Sequence, residues 1–520
     1  MNQYVFEPVK PVIQTKFGKL RGVTYGDVNI FMGVKYAQAK RFHMPEDQQP
    51  WEGVKNAYVY GPVTPLMVPA APPSYYRGLH MLQTYSEDCQ NLNIWAPNIQ
   101  NGEKKPVFVW IHGGGYFAGN ALEEYSFDGF HMAHDGDVVF VSINHRLNIL
   151  AHLNLADYGE EFQHSVNVGI ADLVAAMKWI HENIAAFGGD PENVTICGHS
   201  GGGGKVQCLY QIEEAAPYFQ RGIVLSGSMS NEMTDTQEVS RKAAKVILDE
   251  MGITKENIER IYEVSYQDLV DAYRKVVRRL SDEGIAVKWS PVKDDYFRGF
   301  PLDVGFMPWS KDKPLLFGST LGEFLMCPLT TEQKEAMGQE ERVAYLKERF
   351  GEHADTLMTL FRQAYPTHDI LDLAYVDTMA RIPTLDTALL HAQNGLKNTY
   401  IFLAAYNAPE DNWIPLWHGG DVCYILMNED RVYVLNEAVY GQKLAQIFSS
   451  MTLNFIRSGN PNTKYLPKWE PITPEHHCTM VIDRACECKE AFDEELTALL
   501  DQVTPKFSLD FARMFETKKV

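Results

Sequence analysis

The tightest constraint in this chain is a short β-branched run, Val194-Thr195-Ile196, that ends in glycines built around one serine, Gly198-His199-Ser200-Gly201-Gly202-Gly203-Gly204. The run reads as a buried strand, and helix-compatible residues such as Gln207 and Leu209 follow the glycines. The pattern is strand, sharp turn, helix, and it fits G-x-S-x-G with the serine at the tip. A residue at such a tip adopts a strained backbone, so the positions two before and two after it must lack bulky side chains. Gly198 and Gly202 meet that demand. Ser200 is thereby a candidate nucleophile; the alternative is a glycine-rich turn that carries a spectator serine.

Strands and helices alternate on both sides of this element. Val107-Phe108-Val109-Trp110-Ile111 and residues 138–143 read as successive buried strands. Ile170, Leu173, Val174, Met177, Ile180 and Ile184 keep helical spacing, and Gly188-Gly189-Asp190-Pro191 stops that helix and leads into the serine strand. Further strands follow at 222–225, 314–317 and 400–404, which predicts an α/β protein with a large, mostly parallel sheet flanked by helices. Residues 230–305 and 328–395 differ. They read as charged amphipathic helices, such as 241–251 and 340–350, inserted over one rim of the sheet. Strands that supply the candidate site run from Val107 to Ala404, so one domain over 1–520 is expected, against the roughly three that length alone suggests.

With 45% hydrophobic and 12% aromatic residues the chain can fill a deep core, and its net charge of −20 argues against nucleic acid or an anionic membrane as partner. The opening residues, MNQYVFEPVK, have neither a basic segment nor a long apolar one, and no run of 18 apolar residues occurs, so a cytoplasmic protein is expected. Eight cysteines are too sparse for a disulfide scaffold, and mostly reduced thiols are expected. His476-His477-Cys478 and Cys486-Glu487-Cys488 form the tightest cluster, but C-x-C is not the usual zinc spacing and no metal is assigned. No cofactor is called for.

An activated serine needs a base, a carboxylate to orient the base, and donors for the oxyanion. His112-Gly113-Gly114-Gly115-Tyr116 follows the strand that ends at Ile111, where residues without side chains let N–H groups face a carbonyl oxygen. Gly114, Gly115 and Gly201 are the expected donors. Glu323, after Gly318-Ser319-Thr320-Leu321-Gly322, lies at the C-terminal end of a strand, the edge at which open α/β sheets bind ligands. His418, in Trp417-His418-Gly419-Gly420-Asp421, is the candidate base. The chain order Ser200, Glu323, His418 is that of α/β-hydrolases.

These residues resemble the type-B carboxylesterases, the family that also contains cholinesterases and cholinesterase-like adhesion proteins. Ser86-Glu87-Asp88-Cys89 with Asn93 and Pro97 is similar to the family's second signature, E-D-C-L-Y-L-N. Phe187-Gly188-Gly189-Asp190-Pro191, Asn193-Val194-Thr195, Asn144-His145-Arg146-Leu147 and Gly459-Asn460-Pro461-Asn462 extend the resemblance over nearly the whole chain. It implies an α/β-hydrolase fold, a Ser200-Glu323-His418 triad, and ion pairs of Arg41 with Glu87 and Arg146 with Asp172. The elbow departs from the family's usual Glu-Ser-Ala, having His199 before the serine and Gly201 after it. A glutamate there favours cationic substrates, which a histidine does not. Gln90 and Asn91 replace Leu and Tyr, and no cysteine precedes Cys89, so the disulfide of many secreted members cannot form and a true cholinesterase is not expected.

The expected reaction is hydrolysis of a small-molecule carboxylic ester through an acyl-Ser200 intermediate, with activity rising through a base that titrates at about 6 to 7. Tyr116, Phe117, His199, Phe324, Trp413 and Trp417 flank the catalytic positions and are candidate pocket residues suited to aryl or medium-chain acyl esters. Two rivals remain open at this stage: a silent binding member of the family, and a triad that acts on a thioester, carbamate or amide.

Overall fold

The computed structural model describes residues 4–6, 11–67, 83–98, 102–228, 233–324, 329, 331–408, 414–505 and 511. Its frame is a twelve-stranded sheet. In chain order the strands are β1 (Tyr4–Val5), β2 (Val23–Tyr25), β3 (Val28–Lys35), β4 (Asn91–Pro97), β5 (Lys105–Ile111) and β6 (Val139–Ile143). They continue with β7 (Gly189–His199), β8 (Arg221–Leu225), β9 (Leu315–Thr320), β10 (Thr399–Ala404), β11 (Cys478–Ile482) and β12 (Glu487–Glu490). The spatial order follows the chain except that β6 lies between β4 and β5. From β6 through β11 every neighbouring pair is parallel, and the flanking pairs are antiparallel.

Strand alternation assigns the two cores. Val107, Val109 and Ile111 of β5 face one side, where Val139, Val141 and Ile143 join them under Ile170, Leu173, Met177 and Ile180 of α1 (Val168–Asn183). Phe108 and Trp110 face the other side with Phe140 and Phe402, beneath Leu444, Phe448 and Met451 of a helix at Tyr440–Ser458. Covered on both faces, β5 and β7 read in the sequence as continuous apolar runs. All six strands that the sequence predicts are present, the serine strand extending back to Gly189.

Both stretches read as insertions are helical. Gln237–Glu250 packs against Tyr266–Asp282 in a cluster of their own with Phe42, Ile149 and Phe511. The second of these helices starts at a capping box, in which Ser265 Oγ and the Asp268 carboxylate satisfy each other's backbone N–H at 3.1 Å. Gln339–Phe350 and Ala354–Ala364 form another cluster over Leu321 and Leu403. Arg381–Ala392, inside the second stretch, instead lays Ala388 and Ala392 against Ile401 and Phe317 of the sheet. Its small residues allow that close approach, so the sheet-covering layer begins earlier than the boundary at 395. No helix among the described residues is long and apolar enough to cross a membrane.

Candidate active site

β7 carries the chain into the turn with Ser200 at φ 57° and ψ −128°, a conformation that costs a non-glycine residue about 1–3 kcal/mol. Its surroundings hold it there: Ser200 N–H donates to Leu225 O at 2.8 Å, and Ser200 O accepts from Gly204 N–H at 3.2 Å. A Cβ on Gly198 would stand 2.8 Å from Gly203 N, and one on Gly202 2.8 Å from His112 O. Any side chain at either position would therefore drive strand and helix apart.

The loop after β5 meets the elbow. Gly114 and Gly115 have φ of 83° and 62°. Gly113 O accepts from His112 Nδ1–H at 2.9 Å, and Gly114 O accepts from Ala118 N–H at 3.0 Å. In a planar trans peptide the N–H points opposite the preceding carbonyl, so these anchors fix the directions of the Gly114 and Gly115 N–H groups. A Cβ on Gly113 would lie 3.3 Å from Ser200 Cβ, and one on Gly201 only 2.5 Å from Gly115 C. Gly115 and Gly201 are thus in contact, and the loop at Gly113 lies against the serine. Gly201 opens α2 (Gly201–Tyr210), whose N-terminal dipole adds positive potential at this point.

Glu323 follows β9 by three residues. Its Oε1 accepts from Ser226 Oγ at 2.6 Å and from Thr320 N–H at 2.7 Å, and its Oε2 accepts from His418 Nδ1–H at 2.5 Å. Two backbone bonds join the acid and base loops, Gly322 N–H to Leu416 O at 3.0 Å and His418 N–H to Glu323 O at 2.5 Å. Both side chains are buried. Burial pushes the Glu323 carboxyl up, against its bonds to Ser226 and Thr320, and pushes the His418 imidazole down. His418 is therefore neutral at pH 7. With Nδ1–H committed to the carboxylate, Nε2 is the basic nitrogen, and it has no hydrogen-bond partner among the described residues. The ring sits between His199, with centroids 4.4 Å apart, and Phe324, stacked at 4.3 Å.

Residues 9–499 match the model of the Carboxylesterase family. The chain belongs to that family. Among carboxylesterase relatives, para-nitrobenzyl esterase of Bacillus subtilis (strain 168) is 29% identical over 495 residues, which cover 91% of this chain and 94% of that protein. Phenmedipham hydrolase of Pseudarthrobacter oxydans is 32% identical over 354 residues, covering 66% and 68% of the two chains. The solved structure of an esterase from anaerobic Clostridium hathewayi, described as able to hydrolyze aliphatic aromatic polyesters, superimposes with a TM-score of 0.92 at 38% identity, over 97% of this chain and 100% of that one. The large, mostly parallel sheet with its flanking helices is accordingly that of an α/β-hydrolase.

The carboxylesterase frame also shows where the remaining sequence candidates lie. Phe117 covers Gly115 and meets Phe511 edge to face at 5.0 Å. Tyr116 and Trp417, named among the candidate pocket residues, pack in the interior. Each is only 2% exposed and belongs to the core, Tyr116 against Phe300 and Trp417 in the layer beneath Tyr440–Ser458. Residues beside catalytic positions alternate in direction, and adjacency in the chain did not reveal which way these two point. Trp413 lies outside the described residues.

The implied ion pairs are present, Arg41 Nε on Glu87 at 2.7 Å and Arg146 clamping Asp172 at 2.8 and 2.6 Å. The departures at 90 and 91 are accommodated by polar partners: Gln90 Nε2 donates to Asp172 at 3.2 Å and Asn91 Nδ2 to Pro62 O at 2.7 Å. Five cysteines among the described residues are free, in keeping with mostly reduced thiols, while Cys478 and Cys488 form a disulfide that the sequence analysis did not single out. Antiparallel pairing puts Met480 opposite Cys488, and a two-residue offset returns Cys478 to the same face. Sequence reasoning missed Ser226 and Thr320 as partners of Glu323; their places just beyond β8 and at the end of β9 were the available signal. It also missed Asp421, fully buried near Glu323, where burial and then that carboxylate push its pKa up to about 7.

Proposed function

We propose that this carboxylesterase hydrolyses its ester through an acyl intermediate on Ser200. His418 Nε2 takes the serine proton as Oγ attacks the ester carbonyl, and Glu323 stabilises the imidazolium through Nδ1–H. The same proton passes to the leaving alkoxide, which departs as the alcohol and leaves the acyl-serine. Water, deprotonated by His418, then attacks that ester and releases the carboxylic acid and Ser200. The N–H groups of Gly114, Gly115 and Gly201 carry the oxyanion in both tetrahedral intermediates, each donor contributing about 3 kcal/mol. The observation that carries this reading is the Glu323–His418 hydrogen bond at 2.5 Å, held at the same sheet edge as a serine in left-handed strain.

The aromatic faces of Phe117 and Phe324 favour aryl esters, a reading supported by the Clostridium esterase, described as hydrolysing aliphatic aromatic polyesters. One experiment decides the assignment. A fluorophosphonate should label wild type once, at Ser200, and Ser200→Ala should lose both label and turnover of p-nitrophenyl butyrate. Near wild-type turnover in Ser200→Ala, or an inert and correctly folded wild type, would refute it.

A further inference from the structure

The fifth residue of α2 is a lysine, Lys205, and its side chain is fully buried. Two costs attach to that placement. An ammonium loses its hydration in the core, and a cation near a helix N-terminus opposes the helix dipole. No carboxylate among the described residues lies within 4 Å to offset them. The contact that Nζ does make is specific: it donates to His112 O at 3.2 Å, with the Tyr116 ring 6.0 Å away.

His112 O belongs to the peptide whose other end is Gly113 N–H. Three successive carbonyls of the loop are therefore anchored on the side away from their N–H groups: His112 O by Lys205, Gly113 O by the His112 ring, and Gly114 O by Ala118. The first anchor alone comes from the helix that carries Gly201. It ties the loop donors to the α2 donor across the seam where Gly201 and Gly115 touch.

We propose that Lys205 is a positioning residue for the oxyanion donors, its ammonium holding the His112–Gly113 peptide and so the loop in register with the N-terminus of α2. This rests on the reading of Ser200 as the nucleophile. The groups that face Nζ are Cys208 on its own helix, Tyr116 and Glu123 beyond the loop, and the His112, His145 and His152 imidazoles. Burial keeps the Cys208 thiol and the three imidazoles neutral, and pushes Lys205 itself down to about 7. The charge-assisted bond is accordingly present at low pH and weakens as pH rises through that range.

Lys205→Met keeps the length and removes the charge and the donor. Turnover of p-nitrophenyl butyrate is measured per fluorophosphonate-labelled serine, so misfolded enzyme drops out of the count. Expected are a kcat lower by about tenfold, a KM within about threefold, and affinity for an aryl trifluoromethyl ketone, which forms a tetrahedral oxyanion adduct, weaker by the same factor as kcat. Wild-type kcat should also fall between about pH 6 and about 8, and the variant should lack that limb. An unchanged kcat per labelled serine, or a reduced labelled fraction alone, would show a purely structural lysine and overturn the proposal. Should the variant not fold, a flat wild-type kcat over the same pH range overturns it. Failure to label wild type would instead refute the assignment of Ser200.

Discussion

Gly201→Ala restores the residue that carboxylesterases usually carry after the nucleophile, and in this chain it should be damaging. The Cβ would sit 2.5 Å from Gly115 C and overlap Gly115 O and Cα. Non-bonded carbon atoms rest at about 3.5 Å, so loop and helix must part by about 1 Å. Gly115 and Gly201, one proposed donor from each side, meet at that seam, which makes the displacement one between the halves of the oxyanion site. A misplacement of about 1 Å costs on the order of 10²-fold in rate, or about 2.7 kcal/mol of barrier. Overpacking of this kind also costs about 1–3 kcal/mol of stability. The assay is kcat for p-nitrophenyl butyrate per fluorophosphonate-labelled serine, with a urea melt beside it. Expected are a kcat lower by about a hundredfold, a KM nearly unchanged, and a lower midpoint. A kcat within about threefold of wild type would refute the reasoning, because it would mean that the contact between Gly201 and Gly115 does not set the donor geometry.

Glu323→Gln should lower kcat by about 10³- to 10⁴-fold with the fold retained, since an amide can hold the ring but cannot stabilise the imidazolium; circular dichroism and turnover check it. Asp172→Ala strips the partner from the fully buried Arg146 guanidinium and should cost about 3–5 kcal/mol, read as a shift in the urea midpoint at constant slope. Because burial lowers the His418 pKa, the acid limb of kcat/KM should fall below the unperturbed imidazole value of about 6.5, the neutral form persisting to lower pH; a limb at or above that value counts against the buried geometry. Reduction of the Cys478–Cys488 bond, at the sheet edge away from Ser200, should lower the melting temperature and leave kcat unchanged, measured with and without dithiothreitol.

The legible part of the molecule was the part in which one local rule acts alone. Val107 to Ile111 is apolar at every position because both of its faces are covered, and Gly198 and Gly202 are glycines because backbone lies against each of them. The proposed triad could be ordered from strand ends. What stayed hidden depended on side-chain direction or distant pairing. Tyr116 and Phe117 are neighbours in the chain, yet one is core and the other packs over the loop glycines. The Cys478–Cys488 bond followed from a hairpin register that spacing does not reveal. Lys205 drew no reading from the sequence, because nothing local marks the face of α2 that turns toward His112.

The elbow departures also act together. With His199 in place of the usual glutamate, the position beside the nucleophile holds an imidazole that burial and the neighbouring His418 keep neutral. The negative potential that a carboxylate would place there is missing, and with it one source of attraction for a cationic ester. His199 instead presents a ring to His418 on one side while Phe324 closes the other. The stacked Phe324 face favours the developing imidazolium, a contribution of about 0.5–1 kcal/mol that salt does not screen as it screens exposed charge. Gly201 in place of alanine lets the oxyanion loop approach α2 more closely, and Lys205 sits behind that approach. The charge that relatives place in front of the serine as a carboxylate is absent here, and a positive charge stands behind the oxyanion loop instead. Such an arrangement acts on the transition state of any ester and selects little among ground states.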